Sequence, residues 1–373
     1  MILFLHHRYR TTGGEEQAVQ DALWLVRERL GEDVELLERD SAELGRARAA
    51  AGMLGGGLAP EEVGRAVRRT GARVVHAHNL LPGLGWRSLS AARKAGARVV
   101  LHLHQYRLVC ANGVCFTGGS DCTRCHGANT LPGVVHNCRA NRSEAMVYAT
   151  ALALWQRRLA ASVDAYVVPS HFAAARLAEL GARCSPLHVV AHPMRAIAPA
   201  PTPGGAYALV AARLAPEKGV EVAIDACRSL GLKLVVAGDG PLREALERRA
   251  AASAGAPVSF LGRVSAPALA QLRRDAALAL VPSLSAETFG LAAAEAMAAG
   301  LPVAASRIGA LPELVPEAGL CTPGRADELA GAIERVLADR PAAATDALAR
   351  VRALSSPEVV APALAAVYDS LAG

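Results

Sequence analysis

The sequence predicts an α/β protein built from two parallel-sheet domains, and three observations support this fold class. The chain has 373 residues, which exceeds one ordinary core and suits two domains of about 150–200 residues each. Short apolar runs alternate with helical patterns in both halves, as in parallel sheets that are covered on both faces. A stretch rich in proline and glycine, residues 193–205, separates the two series and resembles a linker.

Each series of elements can be read in order. In the first half, predicted strands cover 2–5, 74–77, 99–103 and 165–169, with helices at 16–30, 88–95 and 172–180. In the second half, predicted strands cover 207–211, 232–237, 258–261 and 278–282. We therefore expect an N-terminal domain over residues 1–193 and a C-terminal domain over residues 206–356. A last helix within 357–373 can pack back on the N-terminal domain, which periodicity alone leaves open.

Composition indicates a protein of the cell interior. Hydrophobic residues make up 52% and charged residues 20% of the chain, and no run reaches the roughly 18 apolar residues of a membrane-spanning helix. The first apolar segment, residues 1–5, is followed at once by histidines and arginines and lacks the features of a signal peptide. We therefore expect a cytoplasmic protein.

The charge is unevenly distributed. Residues 1–195 hold 24 Lys and Arg against 16 Asp and Glu, whereas residues 196–373 hold 16 against 18. The basic half suits a phosphate-bearing acceptor or peripheral contact with an anionic surface such as the inner membrane face. Scattered surface arginines without a functional role are the alternative explanation of the basic excess in residues 1–195.

A motif with two glutamates marks the C-terminal half. Glu287-Thr-Phe289-Gly290-Leu291 leads from a strand into an apolar helix that carries Glu295. If the helix starts near Gly290, Glu287 lies on the preceding loop and Glu295 about one turn inside, so both can face one ligand. The free N–H groups at the start of such a helix suit a diphosphate.

Two further motifs lie in the same half: the segment from Arg213 to Gly219, which includes Lys218, and Ala237-Gly238-Asp239-Gly240-Pro241. Together with the motif of the two glutamates, they make the chain resemble the retaining glycosyltransferases of family 4. These enzymes have the GT-B fold of two Rossmann-like domains with a cleft between them. The resemblance implies that Arg213 and Lys218 bind the donor diphosphate. Two fixed cations would also stabilise the charge that grows on a departing diphosphate.

The resemblance assigns further donor contacts. It implies that Glu295 binds the nucleotide ribose and that Glu287 binds a sugar hydroxyl near the reacting carbon, with Phe289, Gly290 and Leu291 beside them. The Asp-x-Asp motif, which would indicate a metal-diphosphate clamp, occurs nowhere in the chain. We therefore expect no catalytic metal.

The N-terminal half contributes two more candidates. Gly13 and Gly14 end a loop and open a helix, which permits close backbone approach to a donor phosphate, although an ordinary tight turn explains them equally. His104, at a strand end, matches the family histidine that lies beside the transferred sugar. Relatives often have aspartate after this histidine, whereas Gln105 stands here.

Five of the eight cysteines lie within 29 residues, at 110, 115, 122, 125 and 138. Such density in a reducing cytosol favours metal over disulfides, and the Cys122-x2-Cys125 pair is a chelating knuckle. An insert of this kind, residues 110–138, resembles one found in a subset of the family. The resemblance identifies Cys110, Cys122, Cys125 and Cys138 as the matching residues, and we expect them to hold a structural zinc, with His126 or His136 as substitute ligands. The alternative is reduced or partly paired thiols.

The sequence therefore predicts a retaining transferase that moves a sugar from a nucleoside diphosphate sugar to an acceptor hydroxyl. The acceptor can be a sugar, a lipid-linked compound or a natural product, and the motifs do not distinguish them. A nucleotide-sugar epimerase or a phosphorylase on the same fold is the alternative. A zinc-containing nucleic-acid-binding protein is more remote, because aromatic residues are only 4% of the chain and no basic helix is evident.

Overall fold

The computed structural model describes residues 1–9, 13–252 and 256–371. Their Cα positions group into two compact units. The first unit contains Met1–Thr117, Cys122–Pro193 and the stretch that begins at Pro357, and the second contains Met194–Ser356 with Gly118–Asp121.

The chain up to residue 193 alternates strands with helices. Its strands are β1 (Ile2–Arg8), β2 (Val34–Asp40), β3 (Val74–Ala77), β4 (Arg98–His102), β5 (Phe116–Thr117), β6 (Ser120–Asp121), β7 (Ala165–Val168) and β8 (Leu187–Val189). Its helices are α1 (Gly14–Leu30), α2 (Arg46–Gly55), α3 (Pro60–Thr70), α4 (Gly85–Lys94), α5 (Leu131–Val135), α6 (Arg142–Ala160) and α7 (His171–Glu179).

The chain after residue 193 repeats this alternation. Its strands are β9 (Ala208–Ala211), β10 (Leu234–Ala237), β11 (Val258–Gly262), β12 (Leu278–Val281), β13 (Val303–Ser306) and β14 (Leu320–Cys321). Its helices are α8 (Val220–Ser229), α9 (Arg243–Ala251), α10 (Ala266–Arg274), α11 (Leu291–Ala298), α12 (Leu311–Leu314), α13 (Ala326–Ala338), α14 (Arg340–Ser355) and α15 (Pro357–Asp369), with 3-10 turns at Pro216–Lys218 and Glu317–Gly319.

Each unit is organised around a parallel sheet. The strand order is β2-β1-β3-β4-β7-β8 in the first and β11-β10-β9-β12-β13-β14 in the second. The central strands β3, β4 and β7 of the first sheet and β10, β12 and β13 of the second are almost entirely buried, since helices cover both faces of a parallel sheet. The order reverses beside β1 and beside β9, where the two halves of each sheet diverge. In such sheets ligands bind at the carboxyl ends of the strands at this switch point.

The last helix, α15, packs in the first unit. Its Val360, Leu364 and Tyr368 join the apolar cluster that contains Phe4 of β1. The hydroxyl of Tyr368 lies 2.6 Å from Nδ1 of His76 on β3. In the part of the chain that the structure describes, no helix combines the length and apolar character needed to cross a membrane.

Candidate functional site

The three C-terminal motifs converge at the switch point of the second sheet. Arg213 and Lys218 follow β9, and Glu287 lies on the loop after β12, the strand that pairs with β9. Backbone hydrogen bonds join the three motifs. The N–H of Leu284 donates to the carbonyl of Glu217 at 2.9 Å, and the N–H of Leu214 donates to the carbonyl of Asp239 at 3.0 Å. The predicted cations and carboxylate therefore lie on adjacent loops of one sheet edge.

Lys218 and Glu287 form an ion pair there. The Nζ of Lys218 donates to Oε1 of Glu287 at 2.6 Å, and the Oγ of Ser283 donates to the same oxygen at 2.7 Å. Burial by itself raises the pKa of Glu287, but the neighbouring Lys218 ammonium and the two hydrogen bonds outweigh it, so the pKa is lower than usual. Glu287 is therefore a carboxylate at neutral pH, able to accept hydrogen bonds from hydroxyl groups.

Arg213 differs from Lys218 in its exposure. Its guanidinium pairs with Glu217, which is 8% exposed, while 57% of the Arg213 side chain remains exposed. An exposed guanidinium that is held by one buried carboxylate keeps donors free for a phosphate.

Glycines allow the close approach of these loops. Gly219 has φ +61°, and a Cβ there would lie 2.1 Å from the carbonyl oxygen of Pro282. Gly309 has φ +63°, and its Cβ would lie 2.3 Å from the backbone nitrogen of Glu287. Both positions require glycine on steric and conformational grounds, and both fix the backbone around the ion pair.

The motif with the two glutamates, Glu287 and Glu295, has the predicted local structure. Helix α11 begins at Leu291 after Gly290, which has φ +95°, so Glu287 stays on the loop and Glu295 lies inside the helix. Glu295 forms an ion pair with Arg273, a partner that sequence reasoning missed. Phe289 is 5% exposed and belongs to the buried core beside Gly290.

In the first unit, His104 belongs to a stack of histidines. Its Nε2 lies 2.7 Å from Nδ1 of His78, and its ring stacks on His102 and His192 with centroid distances of 4.4 and 5.1 Å. Burial, together with the neighbouring histidines, lowers the pKa of His104 well below its usual value. His104 is therefore a neutral imidazole at pH 7. The replacement of the aspartate of relatives by Gln105 did not by itself indicate this charge state.

Two sets of histidines have ligand nitrogens within 4.8 Å of one another: His76, His78 and His102, and His102, His104 and His192. Their rings are nearly parallel, with angles between 8° and 24° for the measured pairs. A metal ion binds in the plane of each imidazole that holds it, and parallel planes share no such point. The stack is therefore arranged as packed neutral rings and not as a formed metal centre.

Gly13 and Gly14 lie at the start of α1, as expected. The N–H of Gly13 donates to Oε2 of Glu16 at 2.7 Å, so a phosphate at this position would compete with a carboxylate. The neighbouring Glu15 accepts hydrogen bonds from the hydroxyl of Tyr9 at 2.9 Å and from Gln105 at 2.6 Å. Burial raises the pKa of Glu15 to about 7, against an opposing effect of Arg107 and of these hydrogen bonds.

Sequence reasoning did not identify this network of Tyr9, Glu15, Gln105 and Arg107. The Gln105-Tyr-Arg107 segment after His104 was the available signal, since polar residues at the end of a buried strand favour a site. The network and His104 line one cavity of about 100 Å³, whose wall residues all belong to the first unit.

All five clustered cysteines line one cavity of about 10 Å³. A hydrogen bond from Cys115 lowers the pKa of Cys110 to about 6, against the effect of burial. Burial raises the pKa of Cys125 to about 11. None of the eight cysteines, all of which lie in the described part of the chain, forms a disulfide. Cys115, which the sequence left outside the set, therefore lies with the four predicted ligands.

Two family models match the chain. A model described as "Glycosyl transferase 4-like domain" matches residues 11–193, and one described as "Glycosyl transferases group 1" matches residues 198–349. Together they span well over half of the chain, and the ion pair of Lys218 and Glu287 lies inside the second match.

Among curated proteins, the chain is similar to a GDP-mannose-dependent alpha-(1-6)-phosphatidylinositol dimannoside mannosyltransferase of Mycobacterium tuberculosis (strain ATCC 25177 / H37Ra). The two are 37% identical over 201 residues, which are 49% of this chain and 51% of the relative. The chain thus spans about half the length of the curated relatives it matches.

Solved structures share the fold. Anabaena Alr3699/HepE in complex with UDP has a TM-score of 0.65 at 19% identity, over 99% of both chains. Sucrose-phosphate synthase from Thermosynechococcus elongatus has a TM-score of 0.69 at 20% identity, over 99% of this chain and 98% of the other. These similarities confirm the predicted GT-B fold of two parallel-sheet α/β domains.

Proposed function

We propose that this chain, which belongs to the glycosyltransferases of the GT4 type, transfers a sugar from a nucleoside diphosphate donor to an acceptor hydroxyl with retention of configuration. The observation that carries the proposal is the constellation of Arg213, Lys218 and Glu287 at the carboxyl ends of β9 and β12. Two of the similar proteins agree with such a donor, because one is GDP-mannose-dependent and the other was crystallised with UDP.

In this proposal Lys218 and Arg213 bind the diphosphate. Cleavage of the donor leaves additional negative charge on the departing phosphate oxygens, and cations fixed beforehand stabilise that charge without reorganising. When phosphate oxygens approach Lys218, its Nζ can share its donors between them and Glu287, since an ammonium has three N–H bonds. The carboxylate of Glu287 then accepts hydrogen bonds from the sugar.

The proposed role of His104 is to hydrogen-bond the transferred sugar. A neutral imidazole adds no positive charge beside the reacting carbon, and it can donate from one nitrogen while accepting at the other. The contact between His104 and His78 supports a fixed ring orientation. Retention follows from attack on the same face as the leaving group, with the donor phosphate accepting the proton of the acceptor hydroxyl.

The lysines argue against a phosphorylase that uses pyridoxal phosphate. Besides Lys218, the chain has only Lys94 and Lys233, and both are exposed. A lysine that forms a Schiff base is activated by desolvation in a pocket, whereas these two side chains lie at the surface.

We also propose a structural zinc held by Cys110, Cys122, Cys125 and Cys138. The shared cavity supports this fit, because thiolates are preferred zinc ligands. A tetrahedral site with zinc–sulfur bonds of about 2.3 Å separates the sulfur atoms by about 3.8 Å. No three cysteine sulfurs in the described ranges lie within 4.8 Å of one another, so zinc would draw the thiols together.

Peripheral membrane contact is a further proposal, which apolar side chains on the first unit support. Leu131 and Val135 on α5 and Met146 and Leu154 on α6 are each more than half exposed. Exposed arginines on α6, Arg142 and Arg157, could face anionic lipid headgroups. Sedimentation with anionic and neutral vesicles tests this proposal, and equal failure to bind both would contradict it.

The proposed function is tested with a panel of nucleoside diphosphate sugars. Each donor is incubated with the protein, and release of nucleoside diphosphate is measured with and without a mixture of hydroxyl acceptors. We expect one donor to be turned over and its product to keep the anomeric configuration of the donor. Turnover of none of the donors, or an inverted product, would contradict the proposal.

A further inference from the structure

The cavity of about 100 Å³ beside His104 has two kinds of wall. Polar side chains that are linked by hydrogen bonds form one part of the lining, called the polar end below: His78 with His104, and the network of Tyr9, Glu15, Gln105 and Arg107. The remaining wall is largely apolar. Its larger side chains are Met53 of α2, Trp86 of α4, and Leu152, Trp155 and Leu159 of α6.

The apolar wall is held in place by its own contacts. The indole N–H of Trp155 donates to the carbonyl oxygens of Met53 and Leu54, both at 3.1 Å. Trp86 and Trp155 pack with a centroid distance of 5.7 Å, and the guanidinium of Arg158 lies about 5 Å from both rings. Because the polar atom of Trp155 is already used, the ring of Trp155 offers a ligand only carbon surface.

Size and polarity together restrict what can occupy the cavity. An apolar cavity of roughly 150 Å³ accommodates benzene, so this cavity of about 100 Å³ limits the apolar part of a ligand to a short branched alkyl group or, at most, a single small ring. A free sugar carries hydroxyls around its whole ring. Placing those hydroxyls against Met53, Leu152 and Trp155 would leave them without hydrogen-bond partners, which is unfavourable.

We propose that the acceptor is an amphipathic alcohol, whose apolar group fills the wall formed by Met53, Trp86 and α6 while its hydroxyl lies at the polar end beside His104. This inference rests on the proposed function and narrows it to one acceptor class. Transfer breaks the bond between the anomeric carbon and the diphosphate oxygen and forms one to the acceptor oxygen. The hydroxyl proton passes to the departing diphosphate.

The test compares cyclohexylmethanol with glucose as acceptors, using the donor identified by the panel. We expect kcat/KM for cyclohexylmethanol to exceed that for glucose at least tenfold. Leu152→Gln, which adds a polar group to the wall, should raise KM for cyclohexylmethanol at least tenfold. Leu154→Gln is the matched control, because Leu154 lies on the same helix, is 56% exposed and does not line the cavity.

A preference for glucose, or equal KM values in Leu152→Gln and the unaltered protein, would overturn the inference while donor turnover upheld the proposed function. A binding measurement keeps the inference testable if no donor is turned over. Saturation-transfer NMR should then detect cyclohexylmethanol but not glucose on the unaltered protein, with the signal lost in Leu152→Gln and kept in Leu154→Gln. Binding of glucose, or a signal that survives in Leu152→Gln, would refute it.

Discussion

Lys218 and Glu287 are 69 residues apart in the chain and are joined by one hydrogen bond of 2.6 Å. The carboxylate neutralises the ammonium, and the ammonium keeps the carboxylate ionised despite its burial. The Glu287 carboxylate therefore depends on Lys218 for its charge state. For the same reason, a variant that removes one partner leaves the other charge without compensation.

Replacement of Lys218 or Glu287 by alanine should reduce turnover about a hundredfold, because loss of one preorganised charge contact costs roughly 3 kcal/mol in the transition state. Steady-state kinetics with the identified donor measures the effect. Lys94→Ala is the matched control, since Lys94 is an exposed lysine on α4. Near-normal turnover in both site variants would remove Lys218 and Glu287 from the proposed mechanism.

Among the elements, most strands that are buried on both faces were predicted from the sequence, but β13 was missed, because Val303–Ser306 consists mainly of small residues and forms no long apolar run. The strand Val74–Ala77 has the predicted bounds, and Leu278–Val281 differs from prediction by one residue. The edge strand β2 was missed, because Val34–Asp40 is half-exposed and carries charged residues that do not form an apolar run. Helix α6 was also missed, since its alanine-rich sequence after the cysteine insert has no clear apolar stripe.

The functional sites, like the strands, were predicted only in part. Local patterns were sufficient to indicate the α11 motif and the cysteine cluster, because their residues are close in sequence. The roles of Arg213 and Lys218 came from family resemblance, and the ion pair itself depends on the β9–β12 pairing, which no local pattern specifies. The histidine stack was not foreseen, since its members come from separate strands and from the segment after β8.

The stack predicts acid sensitivity of the first unit. Burial lowers the pKa of His192 to about 4, against about 6.5 in the unfolded chain, so the unfolded state binds the proton first as the pH falls. The contribution of neutral His192 to the free energy of unfolding is therefore fully present above about pH 6.5 and is lost as the pH falls from 6.5 to 4. His192 contributes up to about 1.4 kcal/mol per pH unit in this window.

His192→Asn should make the free energy of unfolding less dependent on pH by up to that amount. Urea unfolding followed by tryptophan fluorescence measures it, because Trp24, Trp86 and Trp155 all belong to the first unit. Parallel pH profiles for His192→Asn and the unaltered protein would show that His192 does not have a depressed pKa.

The cysteine insert, residues 110–138, is expected to bind zinc and to be stabilised by it. Protein purified without added metal should contain about one zinc per chain, and Cys122→Ser should lower both the zinc content and the Tm, because metal binding orders a segment with few apolar residues. Elemental analysis and thermal unfolding measure the two effects. Cys184→Ser, an isolated thiol of the first unit, is the control. Metal-free protein with an unchanged Tm in Cys122→Ser would leave the cysteines as ordinary thiols.

At the scale of the whole molecule, each of the two units presents polar groups at the switch point of its own sheet. The second presents cations and a carboxylate, and the first presents neutral histidines and a cavity with an apolar wall. This division suits a reaction in which one substrate is a diphosphate and the other is an uncharged alcohol.

Transfer should not require a divalent cation, because Arg213 and Lys218 can neutralise the diphosphate and the chain has no Asp-x-Asp motif. Turnover in a short assay with saturating EDTA should equal that in its absence. Loss of turnover in EDTA and recovery with Mg²⁺ or Mn²⁺ would contradict this expectation.

The central claim is that Lys218 holds the diphosphate of a nucleotide donor, and calorimetric titration of UDP and GDP into the protein tests it most directly. We expect one of the two nucleotides to bind with one site per chain. Lys218→Ala should weaken that binding at least tenfold, and Lys94→Ala should leave it unchanged. The claim is contradicted if neither nucleotide binds, or if Lys218→Ala binds as tightly as the unaltered protein.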